Sequence, residues 1–326
     1  APTRLAPSLA TAQALVANRK KFRHNLLTSW MGLKEALNAR HECNISGIPT
    51  YTSPEKAVKA FMHMVDYQRV QLLLQEIPPS LPFSTSSEIR AECRTLIKEA
   101  KEEGRQTLFH SEAAKVLEAY GIPAAPSIYV HNREEALDAA SKLEGPKALK
   151  VVHEGNCRPY RYRKHPHKLS AGLLQDLEAP QEVADGVGQL GDKVNEKFPQ
   201  YRVREYCLQP MQRGKHSMQV CAGITRDPVF GPLIVFGIGG YKVNILADRQ
   251  IALPPLNMSL AADVVGRTHA ASLLREHSAD PQRDIHRLCQ LLVKLSQMAS
   301  DLTELCGLEI NPLLLNRDGM IAVDFA

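Results

Sequence analysis

Three oxygen-bearing side chains near the end of the chain carry its clearest chemistry. Glu309 and Asn311 alternate with Leu308, Ile310 and Pro312, so an extended backbone points both to one face. A turn at Asn316 to Gly319 follows, and a second apolar segment then ends in Asp324. An acid, an amide and another acid on adjacent strands gather hard oxygen donors around one point. That arrangement suits Mg²⁺ held against nucleotide phosphates. The plainer alternative is an amphipathic edge hairpin.

Other candidates lie upstream. Lys150 falls inside the apolar run KALKVV, where a buried ammonium is costly unless it meets an anion. It could equally snorkel to water from a strand end. His167 lies in RPYRYRKHPHK, residues 158–168, which holds five Lys/Arg, two Tyr and two His. A neutral imidazole is nucleophilic near pH 7 and can accept a phosphoryl group. A solvated basic loop, a phosphate-facing loop and a single-strand nucleic-acid patch are the readings of that cluster. The formal net charge of only +5 argues against nucleic acid. His165 and His167 have no neighbouring Cys or acid to complete a zinc site. In GPLIVFGIGGYKVN, Gly237, Gly239 and Gly240 either admit a phosphate close to backbone N–H groups or mark a tight bend.

The elements that must position these residues can be read from pattern. The 326 residues suggest two domains. Seven scattered cysteines without a C-x-x-C pair argue for reduced thiols in a cytoplasmic protein. No apolar run reaches the ~20 residues of a membrane span, and no signal peptide is present. The opening on Ala1 in mid-domain wording marks the chain as a fragment.

Residues 8–18 have helical spacing, NLLTSWM reads as a buried strand, and residues 33–43 read as a helix. GIPTY is extended. The next helix has Ser53 as its N-cap, Pro54 at its first position and Glu55 in its first turn. Strand–helix–strand–helix is half of a doubly wound parallel sheet, which leaves an unpaired edge. Residues 76–87 are rich in Pro and Ser, a linker composition. Beyond them an α+β pattern is expected. Two helices are expected with Ser87 and Ser111 as caps and stops at Gly104 and Gly121. Strands occupy SIYV, KALKVV, EYCLQPM, SMQVCAGIT, GPLIVFGIGG and the closing hairpin. Two further helices cover 259–277 and 281–305.

Taken in order, LTSWMG, the GIPTYTSPEKAVKAFMHMVDYQR block, LEAYGIP, DPVFGPLIVFGIGG, LPPLN and LEINPL resemble the NDP-forming acyl-CoA synthetases, an ATP-grasp family. The wording of residues 27–69 is similar to the synthetase-like module of bacterial GNAT protein lysine acetyltransferases. The resemblance implies an α/β chain with three parts. Residues 1–80 would be the end of a flavodoxin-like, doubly wound CoA-ligase domain, 81–87 a linker, and 88–326 an α+β ATP-grasp domain. It implies ATP/ADP, Mg²⁺ and coenzyme A as ligands. It also implies an upstream CoA-binding domain and a downstream GNAT domain in the parent protein, with a homo-oligomer left open.

The resemblance also assigns roles. Lys150 would reach the phosphates, and Gln209, Pro210 and Met211 would hold adenine. Ser217 would stand where the family places a ribose-binding glutamate. Glu309, Asn311 and Asp324 would surround metal, and His167 would relay phosphate. The chain departs from the family at Ser217, at Lys242 and Asn244 where glutamates are usual, and at Leu169 and Ala171 beside His167. Two functions follow. One is an enzyme module interconverting acyl-CoA, ADP and phosphate with a carboxylate, CoA and ATP. The other is a degenerate module that senses nucleotide or acyl-CoA without turnover.

Overall fold

The computed structural model describes residues 7–32, 34–75, 86–153, 172–197, 199, 203–211, 218–240, 248–317 and 319–326. The chain divides into two compact units, Ala1–Ile77 and Pro78–Ala326.

The first unit holds helices α1 (Ser8–Ala17), α2 (Lys34–Ile45) and α3 (Pro54–Gln75). They surround a two-stranded parallel sheet of β1 (Thr28–Ser29) and β2 (Thr50–Tyr51). Pro54 opens α3 as expected, and Ser53 Oγ accepts from Lys56 N–H at 3.4 Å. The same hydroxyl holds the Glu55 carboxyl below its ordinary range. The core is small, built on Ala12, Ala39, Cys43 and Ile48. Val58, Phe61, Met62, Val65 and Leu72 on α3 stay exposed. The strand expected over NLLTSWM shrinks to two half-buried residues, because its partner β2 is itself only two residues long.

The second unit opens with α4 (Ser87–Glu102), capped by Ser86 one residue before the expected Ser87, and α5 (His110–Ala119). Gly104 and Gly121, at φ of +75° and +66°, end these helices where expected. The cap of α5 differs from the expectation at Ser111. Glu112 folds back to accept the Phe109 N–H at 2.7 Å, and the N-cap is Phe109, two residues earlier.

A four-stranded antiparallel sheet follows, in the order β3-β6-β4-β5, from β3 (Ile128–Val130), β4 (Lys147–His153), β5 (Leu173–Leu177) and β6 (Val203–Pro210). Helices α6 (Arg133–Ser141) and α7 (Pro180–Lys197) cover one face, packing Ala136, Val183, Val187 and Leu190 on Leu149, Val151 and Leu208. Period-2 alternation then turns Lys150, Cys207 and Gln209 to the other face.

A five-stranded antiparallel sheet completes the unit, in the order β11-β10-β7-β8-β9. Its strands are β7 (Met218–Asp227), β8 (Gly231–Ile238), β9 (Arg249–Ala252), β10 (Gly307–Leu315) and β11 (Met320–Ala322). The expected helix over 259–277 is two helices, α8 (Met258–Gly266) and α9 (His269–His277). Thr268 breaks the run by capping α9 through the Ala271 N–H. Helix α10 (Pro281–Asp301) starts on an Asp280 cap and Pro281, and lays Leu288, Leu292, Leu295 and Met298 on the sheet. Each such leucine contributes about 1.5–3 kcal/mol of burial. Val220, Ala222, Phe236 and Ile310 form the sheet side of this core. Glu309 and Asn311 therefore face away from the helices. The strands β5 and β9 and the helices α6 and α7 were not anticipated; β5 is partly exposed and polar, and so weak in apolar pattern.

Candidate functional site

Lys150 sits mid-strand in β4, between buried Leu149 and Val151. Its ammonium donates to the Val323 carbonyl at 2.8 Å and lies 3.3 Å from Asp324 Oδ1. The lysine side chain is 15% exposed and the aspartate 42%, so the pair meets solvent on the acid's side. A second lysine on the strand, Lys147, is more deeply buried. Its ammonium is spent on the carbonyls of Gly145 and Glu178, at 2.8 and 3.0 Å. The position singled out from sequence is thus the lysine that meets an acid.

Backbone pairing brings Asp324 to that point. Beyond β11 the chain stays alongside β10: Asn311 N–H donates to Asp324 O at 2.8 Å, and Glu309 and Ala326 exchange bonds at 2.9 and 3.1 Å. Asn311 Oδ1 accepts the Gly240 N–H at 2.7 Å, tying β10 to the end of β8. The Cys221 thiol lies 4.0 Å from Glu309 Oε1 and is pushed up to about 12 by burial and by that carboxylate. It is a protonated neighbour, not a nucleophile.

The oxygen set Glu309, Asn311 and Asp324 fits Mg²⁺ in kind. Among the described residues, no three His, Cys, Asp or Glu side chains cluster as a metal cage. Mg²⁺ ordinarily takes one or two carboxylates and draws its other ligands from phosphates and water. The donors present match that habit.

The expected adenine-holding stretch is partly engaged within the chain. Met211 N–H donates to Pro146 O at 2.8 Å, and its thioether receives the Asp176 N–H at 3.1 Å. Gln209, 2% exposed, donates through Nε2 to Ser127 Oγ at 2.8 Å, and its Oε1 has no partner among the described residues. One buried acceptor therefore remains there. Of the glycines, Gly237 and Gly239 serve close packing. A Cβ on the first would come 1.6 Å from Asp248 O, and on the second 2.4 Å from Val220 O. Close backbone approach accounts for both, and Gly240, at φ +68°, is the one of the three in the left-handed region. His167, Ser217, Lys242, Asn244, Leu169 and Ala171 lie outside the described residues.

Sequence reasoning missed a buried aromatic group beside Lys150. His110 stacks on Phe325, with ring centroids 4.1 Å apart, and shares a 2.8 Å hydrogen bond with the Tyr129 hydroxyl. Burial, then the Lys150 charge, hold its pKa down at about 4, while Asp324 opposes them. The ring is therefore neutral at pH 7. No spacing signal marked His110, because its partners, Tyr129 on β3 and Phe325 near the end of the chain, are distant in sequence.

The sequence also matches a known family directly. An ATP-grasp domain model covers residues 99–326. This chain belongs to the ATP-grasp family. Among curated proteins it is 27% identical over 310 residues to an ADP-forming 4-hydroxybutyrate–CoA ligase of Nitrosopumilus maritimus, covering 94% of this chain and 42% of the ligase. It is 28% identical over 238 residues to subunit beta of an ADP-forming acetate–CoA ligase I of Pyrococcus furiosus, covering 72% of this chain and 96% of that subunit. Among solved structures, PH1788 from Pyrococcus horikoshii aligns with a TM-score of 0.64 at 25% identity, over 72% of this chain and 97% of that one. The chain spans less than half the length of the Nitrosopumilus ligase. Among the described residues, no helix is long and apolar enough to cross a membrane.

Proposed function

We propose that this chain supplies the nucleotide-binding module of an ADP-forming acyl-CoA ligase. The whole protein would interconvert acyl-CoA, ADP and phosphate with a carboxylate, CoA and ATP, through an acyl phosphate and a phosphohistidine. The observation that carries this reading is the meeting of Lys150, from the four-stranded sheet, with Asp324 beside Asn311, from the five-stranded one. An ammonium and a set of hard oxygen donors then flank one partly open point, as phosphoryl transfer requires. The relatives named as ADP-forming CoA ligases support the direction of the chemistry.

In this reading Lys150 leaves Asp324 and takes a phosphate oxygen. Asp324, Glu309 and Asn311 face Mg²⁺, which when bound would neutralise charge on the transferring group. Gln209 Oε1 is an acceptor suited to the exocyclic amine of adenine, with Pro210 and Met211 beside it and Ser217 toward the ribose. His167 is the proposed phosphoryl relay on sequence alone. Residues 1–80 are proposed as part of the CoA-ligase domain and 81–87 as the linker. The two-stranded parallel sheet and the exposed apolar face of α3 support that assignment. The upstream CoA-binding domain and a GNAT domain belong to the parent protein in this proposal, the latter on the wording of residues 27–69. A reducing cytoplasm suits the free cysteines.

Calorimetry of the chain with ADP, with and without Mg²⁺, tests the reading. Binding that strengthens with Mg²⁺ and weakens in Lys150→Ala is expected. ADP binding that stays as strong in both Lys150→Ala and Asp324→Asn as in wild type would overturn the site.

A further inference from the structure

A cavity of about 700 Å³ opens where β7, β8 and β10 end against α9 and the start of α10. That size is within the range of small-molecule sites. Lys150, Glu309, Asn311 and Asp324 are not among its lining residues. Its floor is the helix-packed side of the sheet, from which Glu309 and Asn311 point away.

The floor is apolar and deep: Leu274, Ile238 and Leu315 line it at 2–4% exposure. The wall carries Asp284, itself only 5% exposed. Both its oxygens are engaged, Oδ2 by Ser278 Oγ at 2.6 Å and Oδ1 by Arg283 and Arg287 at 3.3 and 3.5 Å. Arg283 also approaches Asp280, at 3.9 Å. Arg317 stands at the mouth without an ion-pair partner among the described residues. Among the described residues that line the cavity, the guanidiniums of Arg283 and Arg317 outnumber the one carboxylate, Asp284, while Leu274, Ile238 and Leu315 give the floor an apolar surface. A bare inorganic anion would leave that floor unused, and a neutral apolar molecule would leave Arg317 unanswered.

We propose that this cavity binds an amphipathic organic anion, its carboxylate or phosphate head at Arg317 and its apolar body on Leu274, Ile238 and Leu315. The test titrates the full chain with octanoate, octyl phosphate, 1-octanol and inorganic phosphate, followed by calorimetry. Octanoate or octyl phosphate binds at one site, and comparison of the two identifies the preferred head. Octanol and inorganic phosphate bind at least about tenfold more weakly, the loss expected for a missing charge-assisted bond or missing apolar burial. Arg317→Ala weakens the anion by a similar factor, and Ala279→Trp, at the exposed rim, blocks it. Both substitutions are at exposed positions, and circular dichroism confirms the fold. Equal binding of octanol and octanoate, or an anion affinity unchanged in both variants, overturns the proposal.

Discussion

Lys150 Nζ and Asp324 Oδ1 stand 3.3 Å apart although 174 residues separate them in sequence. The lysine comes from the middle of a strand in one sheet, and the aspartate from the segment that extends the edge of the other. The Val323 carbonyl takes a second bond from the same ammonium.

Lys150→Ala removes the cation expected to meet phosphate. Affinity for ADP falls by about 10- to 100-fold, the loss of a charge-assisted hydrogen bond. Asp324→Asn weakens the Mg²⁺ dependence more than the metal-free affinity. Calorimetry of both variants, with and without metal, separates the roles. If both lose only thermal stability and keep wild-type affinity, the pair is a structural tie.

His110 makes stability depend on pH. Burial and Lys150 lower its pKa from 6.5 to about 4, so between these values the unfolded chain binds the proton that the folded chain refuses. The contribution of this group is complete above pH 6.5 and is lost progressively as pH falls toward 4, by up to about 3 kcal/mol. Urea unfolding of wild type and His110→Gln at pH 7 and pH 5 checks this. The two stabilities converge at the lower pH, and a constant gap would refute the assignment.

Much of this was legible in the sequence because strand alternation is local. Glu309 and Asn311 had to share a face once Leu308 and Ile310 were read as core, and Ser53–Pro54 had to start a helix. Lys150 stood out as a cation in an apolar strand. Its partner did not, since nothing in VDFA says that the chain keeps pairing with β10 after β11 ends. His110 was invisible for the same reason: its burial depends on Phe325 and Tyr129, which only the tertiary fold brings together. The single helix expected over 259–277 failed on one local detail, the Thr268 hydroxyl that caps a new helix in mid-run.

Glycine substitutions should split by environment. At Gly237 a Cβ would sit 1.6 Å from the Asp248 carbonyl, so Gly237→Ala must separate β8 from the chain entering β9. A loss of more than about 2 kcal/mol is expected, as for severe overpacking. Gly188 lies inside α7, and a Cβ there meets nothing within 4 Å among the described residues. Gly188→Ala gains about 0.5–1 kcal/mol from helix propensity. Thermal melts of the two variants must shift in opposite directions.

Asp248 links β9 to the helical layer. It is 8% exposed, and its two carboxylate oxygens accept the N–H groups of His269 and Ala270 at 2.9 and 3.3 Å, the first donors of α9. A negative charge at a helix N-terminus satisfies unpaired amides and complements the helix dipole. Asp248→Ala therefore leaves two N–H groups without their acceptor, one of them buried, and costs about 1–3 kcal/mol. Asp248→Asn keeps an oxygen acceptor but loses the charge, and recovers part of that loss. Hydrogen exchange locates the effect: the first turn of α9 loses protection in the alanine variant while the interior of α10 keeps it. Uniform loss across both helices would mean that the carboxylate supports the whole layer and not the helix start.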